Sequence, residues 1–395
     1  MNGGCQASVL ASRRWQTRFP DMVSLARSSL IYEWRRYTAA AFAITFAGLL
    51  VIVQLALLVG LFGTVSVAID QSDADLWIGY PKTQSIDLGR SIPDVSAVRA
   101  WMHPAVTRVE RLTIGVGDLR RRDGVAVSVL LYGIDPARDG LAFVRKLTPA
   151  QRDLLNDPDA VIIDAADQKK LGAFVGALVE INGKRARIAG IVEGIRYVGA
   201  VSVLTSRATL RRLAPAVSDA TTFLLVKLQA GADPAAAVSD IADRASIRRY
   251  DVWTARDFSD RSQLYWLFES GVGIGTGFAS LLALLVGVVI TSQTLSGAIL
   301  ASLKEFAALR ALGVSNASLR NVVLEQSFWL GVIGLTLTSV LTFLTGWLGH
   351  VYHIAMDFPW WLLAGTSTLI LLIALGSGLI ALRPLFQADP ANLLR

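Results

Sequence analysis

Residues 37–69 read YTAAAFAITFAGLLVIVQLALLVGLFGTVSVAI, without a single Asp, Glu, Lys or Arg. A helix needs roughly 20 such residues to cross a bilayer, so this stretch predicts a membrane span. Three further charge-free runs are long enough for the same role: Ser270–Leu303, Gln326–Met356 and Phe358–Leu382. They explain why the 395-residue chain is 53% hydrophobic and only 17% charged, with a mean hydropathy of +0.49. That balance excludes a water-soluble enzyme.

Between the first two runs the composition changes. Asp70 to Arg261 carries 27 Lys/Arg and 24 Asp/Glu, an ordinary soluble balance over a length sufficient for a domain with its own core. The only cysteine, Cys5, precedes the first run. No disulfide can staple the domain and no thiolate metal cluster is available. The first apolar run starts after some 37 residues, is too long for a signal-peptide core and lacks a small-residue cleavage site, so it reads as a retained signal anchor.

Charge sets the expected topology. Arg13, Arg14, Arg18, Arg27, Arg35 and Arg36 precede span one, Lys304, Arg310 and Arg320 lie between spans two and three, and Arg383 and Arg395 follow span four. The short stretch between spans three and four has His350, His353 and Asp357 but no Lys or Arg. The positive-inside rule then places both termini and the middle loop in the cytoplasm and the large domain outside. The basic residues flank spans and form no stripe, so the formal charge of +7 points to anionic lipid rather than nucleic acid.

The expected layout is a cytoplasmic N-terminus over 1–37 with an interfacial amphipathic helix (Val23, Ala26, Leu30, Trp34 and Tyr37 share one face), then spans and loops in turn. Span one occupies 38–66, the outer domain 70–262, span two 266–292, a cytoplasmic loop 293–321, span three 322–348, an outer loop 349–359, span four 360–383 and a cytoplasmic tail 384–395. The outer domain reads as mixed α+β. Its clearest element is Ala177–Ile191, a hairpin turned by Asn182-Gly183 with Glu180 opposite Arg185. Val125, Val127 and Val129 alternate toward Gly133, Thr221–Leu228 and Ala160–Ile163 are further strands, and Asp164 is placed to cap a helix. Helices are expected at Pro149–Leu155, Ser206–Leu213 and Pro234–Ala245. In span two, Gly271, Gly273, Gly275 and Gly277 give two overlapping small-xxx-small pairs; Gly273 and Gly277 lie four apart on one face, predicted to pack against another span, foremost span one of the same chain.

No nucleotide-binding P-loop is present, so the chain is not expected to hydrolyse ATP itself. His350, His353 and Asp357 could set metal ligands on one outer loop, but beside Trp347, Trp360 and Trp361 the plainer reading is a polar membrane interface. His103 has no nucleophile motif near it. The residues thus offer no catalytic constellation, no metal centre and no cofactor site.

The loop after span two reads SLKEFAALRALG over Ser302–Gly313. Phe306, Leu309 and Leu312 fall at spacing three with Ala307, Ala308 and Ala311 between them; Lys304, Glu305 and Arg310 are polar, and Gly313 is placed to end the helix. Such a short amphipathic helix needs a cover, and both lipid and a partner's groove satisfy that need.

This segment, followed by Leu319 and Leu324-Glu325-Gln326, resembles the coupling-helix signature of FtsX-like and MacB-like ABC transporter permeases. The resemblance continues through Gln54-Leu55, Tyr132-Gly133-Ile134-Asp135-Pro136, Asp164 with Leu171-Gly172, Ile181-Asn182-Gly183, Gly231-Ala232-Asp233-Pro234, Tyr265-Trp266 and Asp389-Pro390-Ala391, and is nearest to the DevC type of heterocyst exporter permease. It implies a four-helix type VII permease with a MacB-like α+β domain inserted between helices 1 and 2 in the inner membrane. Such permeases act as homodimers, with ATP and Mg bound by a separate ATPase subunit, a periplasmic adaptor and a TolC-like outer-membrane channel. On that resemblance Lys304–Gly313 contacts the ATPase, and motion passes through spans one and two to drive export. The alternative is an FtsX-type protein that activates a cell-wall hydrolase. Glu269 departs from the resemblance. An acidic residue at the edge of span two suggests either gating or a solvated rim position.

Overall fold

Helix takes over wherever the sequence can satisfy its backbone without water, and strand appears where both faces of an apolar run find a core. The computed structural model describes residue 32 and residues 34–93, 95–121, 123–217, 221–243, 248–301 and 314–381. The first half runs α1 Trp34–Val65, α2 Val67–Asp70, β1 Leu76–Gly79, α3 Val95–Trp101, β2 Val106–Arg120, β3 Ala126–Ile134, α4 Pro149–Leu154, β4 Ala160–Asp164 and α5 Gln168–Leu171. Then come β5 Leu178–Ile181, β6 Lys184–Val192, β7 Val201–Ser206, α6 Arg207–Leu213, β8 Phe223–Leu228, α7 Pro234–Ile241, β9 Asp251–Thr254, α8 Ala255–Leu264, α9 Val272–Ala301, α10 Asn316–Val351 and α11 Trp360–Ala381. Among the described residues, α1, α9, α10 and α11 are long and apolar enough to cross a membrane.

The chain divides into two compact units. One holds Met1–Gly48, Val286–Thr338 and Ser367–Arg395; the other holds Leu49–Leu285 and Ser339–Thr366. Within the first, membrane helices meet by close backbone approach: a Cβ added at Gly334 would lie 2.5 Å from Ile44, and Thr338 Oγ1 donates to the Thr45 carbonyl at 3.3 Å. The second unit carries the α+β domain.

Six strands of that domain close a ring, β2–β3–β7–β4–β6–β5, in which β5 returns to β2 at Leu119↔Ile181. Strand β2 belongs to two layers at once. Its outer half, Thr113 to Arg120, pairs with β3, while Val106 to Leu112 pairs with β8 and extends a sheet through β1 to β9. Apolar runs become strands here because each face has its own core. In β8, Phe223 and Leu225 enter the central cluster while Leu224, Val226 and Leu228 enter a second one beneath α3 and α7. In β4, Ile162 faces the centre, and Val161 and Ile163 fill the ring. Doubly buried strands of this kind need no polar alternation.

The expected hairpin forms, with Glu180 opposite Arg185 and Asn182 and Gly183 at φ 51° and 74°, the left-handed pair a type I′ turn requires. Asp164 caps as expected, accepting from Ala166 N at 2.8 Å. Ser206 and Asp233 cap α6 and α7. The expected end of α7 at Ala245 falls outside the described residues, and the helix is described to Ile241.

Candidate functional site: the base of the α+β domain

The central cluster reaches down to the membrane helices. Val65 at the end of α1, Ala68 and Ile69 of α2, and Phe258 of α8 are all part of it, and Trp266 packs against it. Phe258 stacks on Trp253 at 4.9 Å and lies 5.3 Å from Phe223 and 5.7 Å from Trp77. Such aromatic pairs add about 0.5–1.5 kcal/mol each beyond burial, so the approach to span two is held by the domain's core.

Polar groups tie the same place together. Gln263 Nε2 donates to Ser66 Oγ at 2.8 Å, and Ser66 Oγ donates to Asp70 Oδ2 at 2.6 Å. After Leu264 the backbone loosens into a single π-turn, Tyr265–Glu269, and then breaks at Gly271, whose φ is +80°. Trp266 Nε1 donates to Asp87 Oδ1 at 3.4 Å, where Ser85 Oγ also donates at 2.5 Å, and the Trp266 and Tyr197 rings meet edge to face at 6.2 Å. Burial, then the neighbouring Asp87 carboxylate, pushes the Tyr197 hydroxyl far up from its ordinary pKa. It stays a neutral donor to Asp87.

The loop between α10 and α11 is clamped on two sides. Asp357 N donates to the Ala56 carbonyl of α1 at 3.1 Å, and a Cβ at Gly60 would lie 2.4 Å from the Ala355 carbonyl oxygen. From the domain, Arg196 Nη1 donates to the His353 carbonyl at 2.8 Å. Asp167 is buried near Arg196, and desolvation holds its pKa up against that cation's pull.

The sequence-predicted residues fare differently. The coupling segment, Lys304, Glu305, Phe306, Ala307, Leu309, Arg310, Ala311, Leu312 and Gly313, lies outside the described residues, as does most of the expected N-terminal helix. Glu269 ends the π-turn and is exposed. Gly273 and Gly277 require a correction: this face meets no other span among the described residues. A Cβ at Gly277 or Gly275 would find nothing within 4 Å, and one at Gly273 would strike the Leu267 backbone, 2.1 Å from its carbonyl oxygen. The break at Gly271 is the reason, because it folds the start of α9 back beneath the π-turn. Span one approaches span two elsewhere, at Gly287, where a Cβ would lie 2.8 Å from Ala47. His350, His353 and Asp357 belong to no group of three or more metal-binding side chains among the described residues. Ser66, Gln263 and Arg196 carried no sequence signal, since their partners are 197 and 157 positions away.

The profile of the MacB-like periplasmic core domain matches residues 38–244, more than half of the chain. The chain belongs to this family. The FtsX-like permease C-terminal domain matches residues 277–390 of the same MacB-like chain, so both halves of the permease pattern are present in order. Among solved structures, the MacB-like chain is similar to the periplasmic region of MacB from Actinobacillus actinomycetemcomitans, at 14% identity and a TM-score of 0.35 over 49% of this chain and 94% of that one. It is also similar to the extracellular domain of the noncanonic ABC-type transporter YknZ from Gram-positive bacteria, at 14% identity and 0.34 over 46% of this chain and 100% of that one. A third similarity is to a domain of a putative permease protein from Porphyromonas gingivalis, at 14% and 0.32 over 46% and 88%. No curated protein matches the chain.

Proposed function

We propose that this MacB-like chain is the non-catalytic permease subunit of an ABC exporter in the bacterial inner membrane, of the DevC type, working as a homodimer. A separate ATPase subunit binds ATP and Mg and presses on Lys304–Gly313. Helices α1 and α9 carry the displacement outward, and the outer domain acts on a periplasmic adaptor that leads to an outer-membrane channel. The observation that supports this reading best is the bond from Gln263 to Ser66. It joins the two chain crossings at the base of the domain, so that a shift of either helix is delivered to the shared aromatic core rather than lost in a slack linker.

The test is a reversible lock. In a Cys5→Ser background, Ser66→Cys with Gln263→Cys should be bridged by a short reducible bis-methanethiosulfonate crosslinker, stop export while ATP hydrolysis by the co-purified ATPase continues, and recover on reduction. Export that continues at full rate with the pair crosslinked would overturn mechanical transmission through this junction. Restoration of cell-wall hydrolysis rather than of export on reduction would turn the reading to the FtsX-type role.

A further inference from the structure

A groove runs along the part of α1 nearest the folded domain. Leu57, Leu58 and Leu61 line its wall, Gln54 marks its lower end and Ile354 of the α10–α11 loop faces them, enclosing about 390 Å³. Thr64 and Arg196 also border a second cavity of about 320 Å³, lined by Lys146, Asp164, Glu193 and His350. Thr64, Arg196, His353, Ile354 and Ala355 line both. The two spaces adjoin across these residues, apolar where they follow the membrane helix and ionic where they reach the domain.

Three observations define their occupant. From Gln54 to Thr64 the helix rises about 15 Å at 1.5 Å per residue, which equals half of a hydrocarbon core about 30 Å thick. The groove thus has the length of one leaflet. The ammonium of Lys146 is half-buried, sits over Gly194 and has no ion pair or side-chain hydrogen bond with a described residue. Arg196 spends one N–H on His353 and keeps donors for a second partner. Asp164 and Glu193 line the same cavity and Asp167 lies near Arg196, yet none of them makes an ion pair with Lys146 or Arg196 among the described residues. The two Asp164 oxygens already accept from Ala166 N and Ile195 N, each at 2.8 Å, and Glu193 is exposed. Lys146 therefore has N–H donors to offer an anion, as Arg196 does.

We propose that these adjoining spaces form a lipid site: one acyl chain of an anionic phospholipid from the leaflet on the domain's side lies along Leu57, Leu58 and Leu61, and its phosphate is held by Lys146 and Arg196. The site clamps α1 to the α10–α11 loop with lipid as a structural part, and it stands whether or not the chain drives export.

Native mass spectrometry of the full chain, released from micelles containing phosphatidylglycerol or phosphatidylcholine of equal chain length, tests this. Wild type should retain phosphatidylglycerol preferentially, and Lys146→Gln should cut that preference by about fivefold, the worth of one cationic contact to an anionic lipid. Leu61→Trp, which fills the groove, should abolish retention of either lipid while leaving the melting temperature in lipid-free detergent unchanged. Equal retention of the two lipids by wild type, or an unaltered ratio in Lys146→Gln, overturns the head-group assignment. Retention that survives Leu61→Trp, or displacement of the lipid by soluble glycerol phosphate, overturns the acyl groove and leaves a simple anion site.

Discussion

Gln263 Nε2 lies 2.8 Å from Ser66 Oγ, so the chain leaving the first membrane helix and the chain about to enter the second are bonded side chain to side chain. Ser66 is removed from bulk water completely and Gln263 in part, and Ser66 keeps Asp70 as a second partner. Gln263→Ala should therefore lower stability by about 1 kcal/mol, the net value of one such hydrogen bond, read as a small fall in melting temperature in detergent. In the proposed role the larger expected effect is on coupling: ATP hydrolysis by the proposed ATPase subunit becomes less dependent on substrate. A variant with unaltered coupling would show that the aromatic core alone carries the load.

Phe258 is the residue through which α8 grips the domain. It is fully buried and touches Trp77, Phe223 and Trp253. Phe258→Ala should cost about 3–5 kcal/mol, visible as protease sensitivity of the outer domain at temperatures where wild type resists. Wild-type resistance in this variant would mean that α8 is held mainly by its polar contacts.

Glu110 gives the domain a pH dependence. Burial raises its pKa from 4.5, against the backbone amides of Leu141 and Ala142 and the nearby Arg152. The folded state then binds more protons than the unfolded state just above pH 4.5, so the group's contribution is greatest below that value and falls as pH rises through the folded pKa. Glu110→Gln should flatten this part of the stability curve, measured as melting temperature against pH. An unchanged slope would place the protonation elsewhere, with Asp167, raised for the same reason, the next residue to replace.

The glycines of span two separate by position. Gly273→Ala should disturb the turn into α9, because a Cβ has no room beside Leu267, whereas Gly277→Ala enters open space within this chain and should match wild type or gain up to about 1 kcal/mol of helix propensity. Melting temperatures of the two purified variants decide. Equal damage from Gly277→Ala would reveal a second copy of the chain packed on that face.

Orientation is testable with single cysteines in a Cys5→Ser background. Val175 is exposed in the domain and Asn321 is exposed at the start of α10. Val175→Cys should react with an impermeant thiol reagent supplied from outside, and Asn321→Cys only after the membrane is opened. The reverse pattern would put Lys304–Gly313 on the wrong side for an ATPase.

The parts of this architecture that were legible in the sequence are those whose cause is local. Charge-free runs specified the four helices, Asn182-Gly183 specified a turn, and Asp164 announced a cap. Strand β2 escaped notice because Arg108, Glu110 and Arg111 interrupt its apolar residues, and Glu110 is buried only because Leu141 and Ala142 offer it their amides. β1 and β9 are four residues each, too short for any period. The base of the domain was unreadable for a different reason. Ser66 and Gln263, or Arg196 and His353, become neighbours only after the intervening domain has folded. The small-residue face of span two misled because spacing reports which residues share a side of a helix, and not what lies opposite.

The order of strands in the sheet constrains how the protein is made. β1 is among the first segments of the domain to emerge during synthesis, yet its partners are β8, through Trp77↔Leu225, and β9, through Trp77↔Trp253. Neither exists until almost the whole domain has been translated, and only α8 separates β9 from the π-turn that leads back into the membrane. Closure of such a distant pairing is slow, and its edges stay open to wrong partners meanwhile. Final assembly of the sheet must therefore overlap with insertion of the second membrane helix. A delay in one exposes the other, so biogenesis of this protein is most vulnerable once synthesis has passed Thr254.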